Sequence, residues 1–178
     1  KLKKWKHVRT TLLFRNKYFW LQRDRVRLPN GEQYDYFINN QHGRAVTVLP
    51  IDRQGRVYVA KEFRYPVGAV IYNAVGGSVD RRETPQQAAR RELIEETGYR
   101  ARSINPLGEF YASPGVMTEM MHAFVATDLE ACGQSLEPDE RIVPEIVELE
   151  SARRMLSSAE LRDGKTIATL GLYFARMG

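Results

Sequence analysis

Glu92, Glu95 and Glu96 lie within five residues, directly after Arg91 and directly before Thr97 and Gly98. On a helix, which advances 100° per residue, they share an arc of about 100°, and the turn before them on that side offers only Pro85, Ala88 and Ala89. Three carboxylates therefore look onto a shallow clearing. The helix itself is well signalled: Thr84 is an N-cap, Pro85 fills the first helical position, Gln87 completes a capping box, and Gly98 is placed to end the last turn. A Glu-rich helix alone reads as a solvated surface, but this one breaks a local rule. Like charges three and four residues apart cost roughly 0.2–0.5 kcal/mol per pair. Acids in the last turn meet the negative end of the helix dipole at a further cost of about 0.3–1 kcal/mol each. Arg91 relieves part of that strain, and a divalent cation would remove it. Oxygen-only donors select a hard cation, Mg²⁺ first and Mn²⁺ second. His7, His42 and His122 are scattered without ligand spacing.

The elements that must position this helix are mostly strands. Residues 17–28 and 34–38, joined by the turn Pro29-Asn30-Gly31, read as a hairpin. Residues 45–51 and 57–60 flank the turn Asp52–Gly55, and a glycine-bearing stretch runs on to Gly76 and Gly77. After the helix, strands are expected around 107–111, 121–126 and 142–149, and helices at about 151–159 and 166–177. The class expected is α+β with a mixed sheet, organised as residues 1–43 and residues 44–178. At 178 residues, 43% of them hydrophobic and 28% charged, the chain can bury a substantial core. It shows no apolar run long enough for a membrane span and no leader, which makes a cytoplasmic protein the expectation. Cys132, the lone cysteine, excludes an intrachain disulfide, a zinc knuckle and a Cys-X-X-Cys redox pair. Residues 1–27 hold ten Lys or Arg against the single acid Asp24, so the net charge of +5 belongs to the N-terminal segment. That segment keeps a nucleic-acid partner open without favouring it over a solvated face.

Gly77, five residues, Glu83, seven residues, Arg91-Glu92, apolar Leu93, one residue, Glu95-Glu96, one residue, Gly98 resembles the defining motif of the Nudix hydrolase family at every fixed identity. Tyr99, where an aliphatic residue is usual, is the one soft departure. The resemblance implies an α/β/α Nudix sandwich and Mg²⁺-dependent hydrolysis of a nucleoside diphosphate linked to another group. It also implies that Glu92 and Glu96 are the main metal ligands, that Glu95 assists them, and that the carbonyl of Gly76 is a further ligand. Glu83 would help Arg91 hold the loop before the helix, with Gly77 and Gly98 as structural glycines.

Pro114, sixteen residues after Gly98 in Ser113-Pro114-Gly115, is similar to the marker of the ADP-ribose pyrophosphatase subgroup, and Glu119 with Phe124-Val125-Ala126 continues the likeness. Lys61–Pro66 is similar to that subgroup's Gln-Tyr-Arg-Tyr-Pro run, and Thr166–Leu172 to its last helix. There are two departures: Glu62 replaces the usual Gln, and Asn73-Ala74-Val75-Gly76-Gly77 stands where Glu-x-Pro-Ala-Gly is usual. Arg64 is a candidate for bidentate contact with the phosphates. The resemblance implies a general base from an acidic loop before the last strand, here the stretch 137–140, with Glu140 the expected residue and Glu137, Asp139 and Glu119 as alternatives. Tyr18, Phe19 and Trp20 are candidates to stack on the nucleotide base, and the resemblance implies a homodimer whose N-terminal strands help to build the partner's pocket. The expected activity is hydrolysis of ADP-ribose or a related sugar nucleotide to a nucleoside monophosphate and a sugar phosphate. GDP-mannose hydrolysis, pyrophosphohydrolysis of RNA 5′ ends and non-catalytic ADP-ribose sensing are the alternatives.

Overall fold

The computed structural model describes residues 2–40, 43–133 and 142–177. The strands are β1 (Lys6–Arg15), β2 (Trp20–Arg27), β3 (Gln33–Asn39), β4 (Arg44–Pro50), β5 (Arg56–Arg64), β6 (Ala69–Asn73), β7 (Tyr99–Tyr111), β8 (Met120–Ala131) and β9 (Ile142–Glu148). The α-helices are α1 (Pro85–Thr97), α2 (Leu149–Ser157) and α3 (Gly164–Met177), and a 3₁₀ turn covers Tyr65–Val67. The chain divides into two compact units, residues 1–43 with 111–120 and residues 44–110 with 121–178.

The first unit is an antiparallel sheet in the order β1-β2-β3. The β2–β3 connection closes where the Gly31 N–H donates to the Leu28 carbonyl at 3.0 Å, and Gly31 takes the left-handed φ of 94° that this turn needs. Strand β1 was not anticipated from the sequence. Nearly all of its residues are exposed, and its pairing with β2 shifts register between His7 and Arg9 and again between Leu12 and Phe14. It therefore carries no buried face to impose a period of two. The segment 111–120 belongs to the same unit: the Tyr36 hydroxyl donates to the Gly115 carbonyl at 2.8 Å, and the Asn39 N–H to the Val116 carbonyl at 2.8 Å.

The second unit holds two three-stranded sheets, β4-β8-β7 and β6-β5-β9. Strand β4 is buried on both faces, which is why it reads as the nearly unbroken apolar run 45–51. Val46 and Val48 share a core with Ala88, Ala89 and Leu93 of α1 and with Phe124 and Ala126 of β8. Leu49 and Ile51 join Ala123 and Val125 of β8, Ala152 and Met155 of α2, and Leu170 of α3. Successive β8 residues thus alternate between a layer closed by α1 and a layer closed by α2 and α3, as the pleat dictates. Between them, Thr47 and Thr169 satisfy each other by a buried hydroxyl–hydroxyl bond of 3.0 Å. Strand β7 starts at Tyr99 rather than near 107. Its Pro106 is tolerated because β7 lies at the edge of its sheet, where a missing N–H costs no ladder bond.

Candidate active site

Helix α1 is capped as its sequence dictates. The Gln87 N–H donates to Thr84 Oγ1 at 3.2 Å, the Thr84 N–H donates to Gln87 Oε1 at 2.8 Å, and Gly98, at φ 71°, closes the C-terminus by donating to the Ile94 carbonyl at 2.9 Å. The buried stripe of α1 is Ala88, Ala89, Glu92, Leu93 and Glu96. Two of the three predicted acids thus face inward beside small and apolar residues, and Glu95 stays half-buried at the rim.

What they face is the segment between β6 and α1. The Gly76 N–H donates to Glu96 Oε1 at 3.1 Å. A side chain at Gly77 would put its Cβ 2.1 Å from Glu92 Oε1, and one at Gly76 would lie 2.2 Å from the Val46 carbonyl oxygen. Both glycines are therefore required by close approach. Neighbouring residues pin the same segment: the Ala74 N–H donates to Thr166 Oγ1 at 2.7 Å, and the carbonyls of Val75 and Gly77 accept from the Val48 and Val46 N–H groups.

Arg91 gathers the acids. Its Nε and Nη2 reach the two oxygens of Glu83 at 3.0 and 3.1 Å, its Nη1 reaches Glu92 Oε1 at 2.7 Å and Glu95 Oε2 at 3.0 Å, and Nη2 also donates to the Ser78 carbonyl at 2.9 Å. The hydrogen bond to Glu83 does most to push the Arg91 pKa upward. In return the Arg91 guanidinium, helped by the Asp80 N–H, holds the Glu83 carboxyl below its ordinary range. The cleft beside this cluster, about 280 Å³, is lined by Gly76, Gly77, Ser78, Asp80, Arg91, Glu92 and Glu95. Its donors are carboxylate and backbone oxygens, which fit a hard divalent cation. Among the described residues, no three His, Cys, Asp or Glu side chains converge into a metal cage as they stand. Arg91 Nη1, lying between Glu92 and Glu95, occupies the position from which both are held.

Arg64 ends β5, half-exposed, with Nη2 2.9 Å from Glu62 Oε2. The remaining candidates belong to the first unit. Tyr18 and Phe19 occupy the β1–β2 turn, their N–H groups donating to Asn16 Oδ1 at 2.8 and 2.7 Å. Both side chains are exposed. Trp20 opens β2, with the Arg15 guanidinium 4.4 Å above its ring. Pro114 sits in a turn where the Val116 and Met117 N–H groups both donate to the Ser113 carbonyl, and Glu119 is buried. Glu140, with Glu137 and Asp139, lies outside the described residues. Sequence reasoning missed Ser78 and Asp80, which have no motif of their own, and the bond between Asn73 and Glu62, which appears only once β5 and β6 are in register.

The NUDIX domain family matches residues 41–170, and the nucleoside diphosphate sugar hydrolase N-terminal domain matches residues 5–39. This chain belongs to the Nudix hydrolase family. It is a hydrolase acting on phosphoric anhydrides, in the branch that carries the sugar-nucleotide hydrolase N-terminal domain. It is 36% identical over 156 residues to an ADP-ribose pyrophosphatase of Bacillus subtilis (strain 168), covering 86% of this chain and 84% of that protein. A methanol dehydrogenase activator of Bacillus methanolicus is 31% identical, covering 91% and 88%. A GDP-mannose pyrophosphatase of Yersinia pestis (strain Pestoides F) is 33% identical, covering 72% and 69%. In fold, the chain superposes on the crystal structure of an ADP compounds hydrolase with a TM-score of 0.89, at 20% identity and covering 99% and 96%. The family uses divalent metal ions. No helix among the described residues is long and apolar enough to cross a membrane.

Proposed function

We propose that this chain is a pyrophosphatase of nucleoside diphosphate sugars, with ADP-ribose as its first substrate and GDP-mannose as its second, working with Mg²⁺ or, less well, Mn²⁺. The observation that carries the reading is the packing of Glu83, Glu92 and Glu95 around Arg91, with Glu92, Glu95 and Arg91 lining one cleft and Glu96 bonded to the backbone of Gly76, which lines the same cleft. So many acids about a single guanidinium are costly in a structural device and fit a site built for a cation and a polyanion. Glu92 and Glu96 would hold the metal, with Glu95 and the Gly76 carbonyl assisting. When bound, the cation supplies neutralisation of phosphate charge and Lewis-acid activation. Arg91 keeps the carboxylates in place, and Arg64 clamps phosphate oxygens. Glu140 takes the proton of the attacking water while one anhydride P–O bond breaks, giving a nucleoside monophosphate and a sugar phosphate. Tyr18, Phe19 or Trp20 supplies a stacking surface, Pro114 and Glu119 shape the substrate loop, and the working unit is a homodimer in the cytoplasm, as the lone cysteine of the chain suits.

Product analysis by chromatography tests this with ADP-ribose, GDP-mannose, UDP-glucose, nucleoside triphosphates and capped RNA, each with Mg²⁺, Mn²⁺ or EDTA. Metal-dependent release of AMP from ADP-ribose supports the reading, and preference for RNA ends overturns it. RNA is the second reading because Lys6, Arg9, Arg23, Arg25 and Arg27 share one face of β1 and β2, where Asp35 pairs with Arg23 and Arg25. Binding through that face would weaken steeply with salt.

A further inference from the structure

Arg64 stands at the end of a chain of side chains that starts in the buried interior. Asn73, at 5% exposure the most buried member, donates from Nδ2 to Glu62 Oε2 at 2.9 Å, and the same carboxylate oxygen accepts from Arg64 Nη2 at 2.9 Å. The register explains the contact. Ala60 opposes Asn73 and Glu62 opposes Ile71, so Glu62 and Asn73 are diagonal neighbours on one face of the β5–β6 ladder, and Arg64 follows two residues later on that face. Exposure rises outward along the chain, from the buried amide through a largely buried carboxylate, 17% exposed, to a guanidinium that is 50% exposed. Asn73 also begins the segment that ends in the Gly76 contact with Glu96, so the anchor of Arg64 and the carboxylate helix share one backbone support.

We infer that Glu62 and Asn73 form a positioning pair that holds Arg64 ready for the diphosphate, and that this pair sets substrate affinity rather than the rate of bond cleavage. An arginine side chain free at a strand end loses rotamer freedom when it is fixed. A charge-assisted bond to Glu62 takes much of that loss before substrate arrives, leaving the outer edge of the planar fork for phosphate oxygens. The subgroup that the sequence resembles reads Gln at 62 and Glu at 73. Here the carboxylate and the amide have exchanged places, which keeps one negative charge on the pair but moves it onto the strand that carries Arg64. A carboxamide at 62 would still accept a bond but would supply no charge to hold the guanidinium. Glu62 and Asn73 touch no reacting atom in this account and act only through Arg64, so the inference rests on the proposed phosphate role of that arginine.

The test combines steady-state hydrolysis of ADP-ribose with calorimetric binding of its non-hydrolysable α,β-methylene analogue, both in Mg²⁺. The proteins are wild type, Glu62→Gln, Glu62→Gln/Asn73→Glu, Arg64→Ala and Arg64→Ala/Glu62→Gln. Glu62→Gln is expected to raise KM and the analogue Kd about tenfold, the worth of one charge-assisted hydrogen bond, with kcat within about twofold. The Asn73→Glu exchange should recover most of the loss, and Glu62→Gln should change nothing further once Arg64 is alanine. If Glu62→Gln lowers Tm by more than a few degrees, Asn73→Ser, which removes the amide donor and keeps Glu62, carries the same expectation at smaller size. An unchanged Kd in Glu62→Gln, a fall in kcat alone, an effect that persists without Arg64, or no binding of the analogue by wild type would each overturn the inference. If the analogue binds with the expected pattern but wild type cleaves no sugar nucleotide, the positioning pair stands and the proposed activity falls.

Discussion

Gly77→Ala places a methyl group where the structure has no room for one. The new Cβ would stand 2.1 Å from Glu92 Oε1, 2.5 Å from its Cδ and 2.8 Å from its Oε2. Carbon–oxygen contacts relax at about 3.3 Å, so the Glu92 carboxylate must retreat by about 1 Å. The backbone is not the obstacle, because Gly77 has no left-handed φ, and the clash falls on the end of one side chain. The retreat breaks or bends the 2.7 Å bond to Arg91 and moves away from the cleft an oxygen proposed to hold the metal. Over-packing of this kind costs about 1–3 kcal/mol of stability, and a displacement of about 1 Å at a reacting centre costs about 10²-fold in rate. The expected result is therefore a folded protein with kcat/KM down about 100-fold and the half-saturating Mg²⁺ concentration raised, measured by coupled phosphate release against a Mg²⁺ titration. Gly43→Ala is the control, since its added Cβ meets nothing within 4 Å and its φ is unremarkable. Activity of Gly77→Ala within threefold of wild type, at the same Mg²⁺ requirement, would refute the placement of Glu92 at the reacting centre.

Three further outcomes can be checked with little material. Because Glu83 is held below its ordinary value of 4.5 in the folded state, its contribution is complete above that value and is lost as pH falls through the lowered folded pKa. Wild type should therefore lose Tm more steeply than Glu83→Gln as pH falls below about 5, and parallel curves would contradict the pairing with Arg91. Thr84→Ala removes the N-cap of α1 at a cost of about 0.5–2 kcal/mol, read as a Tm lower by a few degrees. Gly171→Ala, inside α3 with open space around the new Cβ, should gain about 0.5–1 kcal/mol and raise Tm by about 1–4 °C without touching activity.

How far each part could be read in advance follows from where its information lies. Helix α1 was legible end to end, because its cap, its first-turn proline and its closing glycine are local signals, and the structure satisfies all three. The two-faced burial of β4 showed in its apolar run. Strand β1 was illegible, since an exposed, bulged strand with charges on both faces leaves no period, and the short β6 hid inside a glycine-bearing stretch. The acids on α1 followed from spacing alone, whereas the reach of Arg91 back to Glu83 rested on resemblance and becomes physical only when the 78–83 turn folds over the helix. The tie between Glu62 and Asn73 could not be read at all, because eleven residues of sequence separate two side chains that only strand register brings together.

The proposed function rests on the carboxylates of α1 serving a metal-dependent pyrophosphatase of sugar nucleotides. Release of AMP and ribose 5-phosphate from ADP-ribose, followed side by side for wild type and Glu96→Gln with Mg²⁺ and with EDTA, tests it most directly. Wild type is expected to show turnover that EDTA abolishes, and Glu96→Gln a loss of about 10²-fold or more at an unfolding temperature close to that of wild type. Turnover that survives EDTA or the loss of the Glu96 charge, or tight ADP-ribose binding by wild type with no turnover at all, would contradict it.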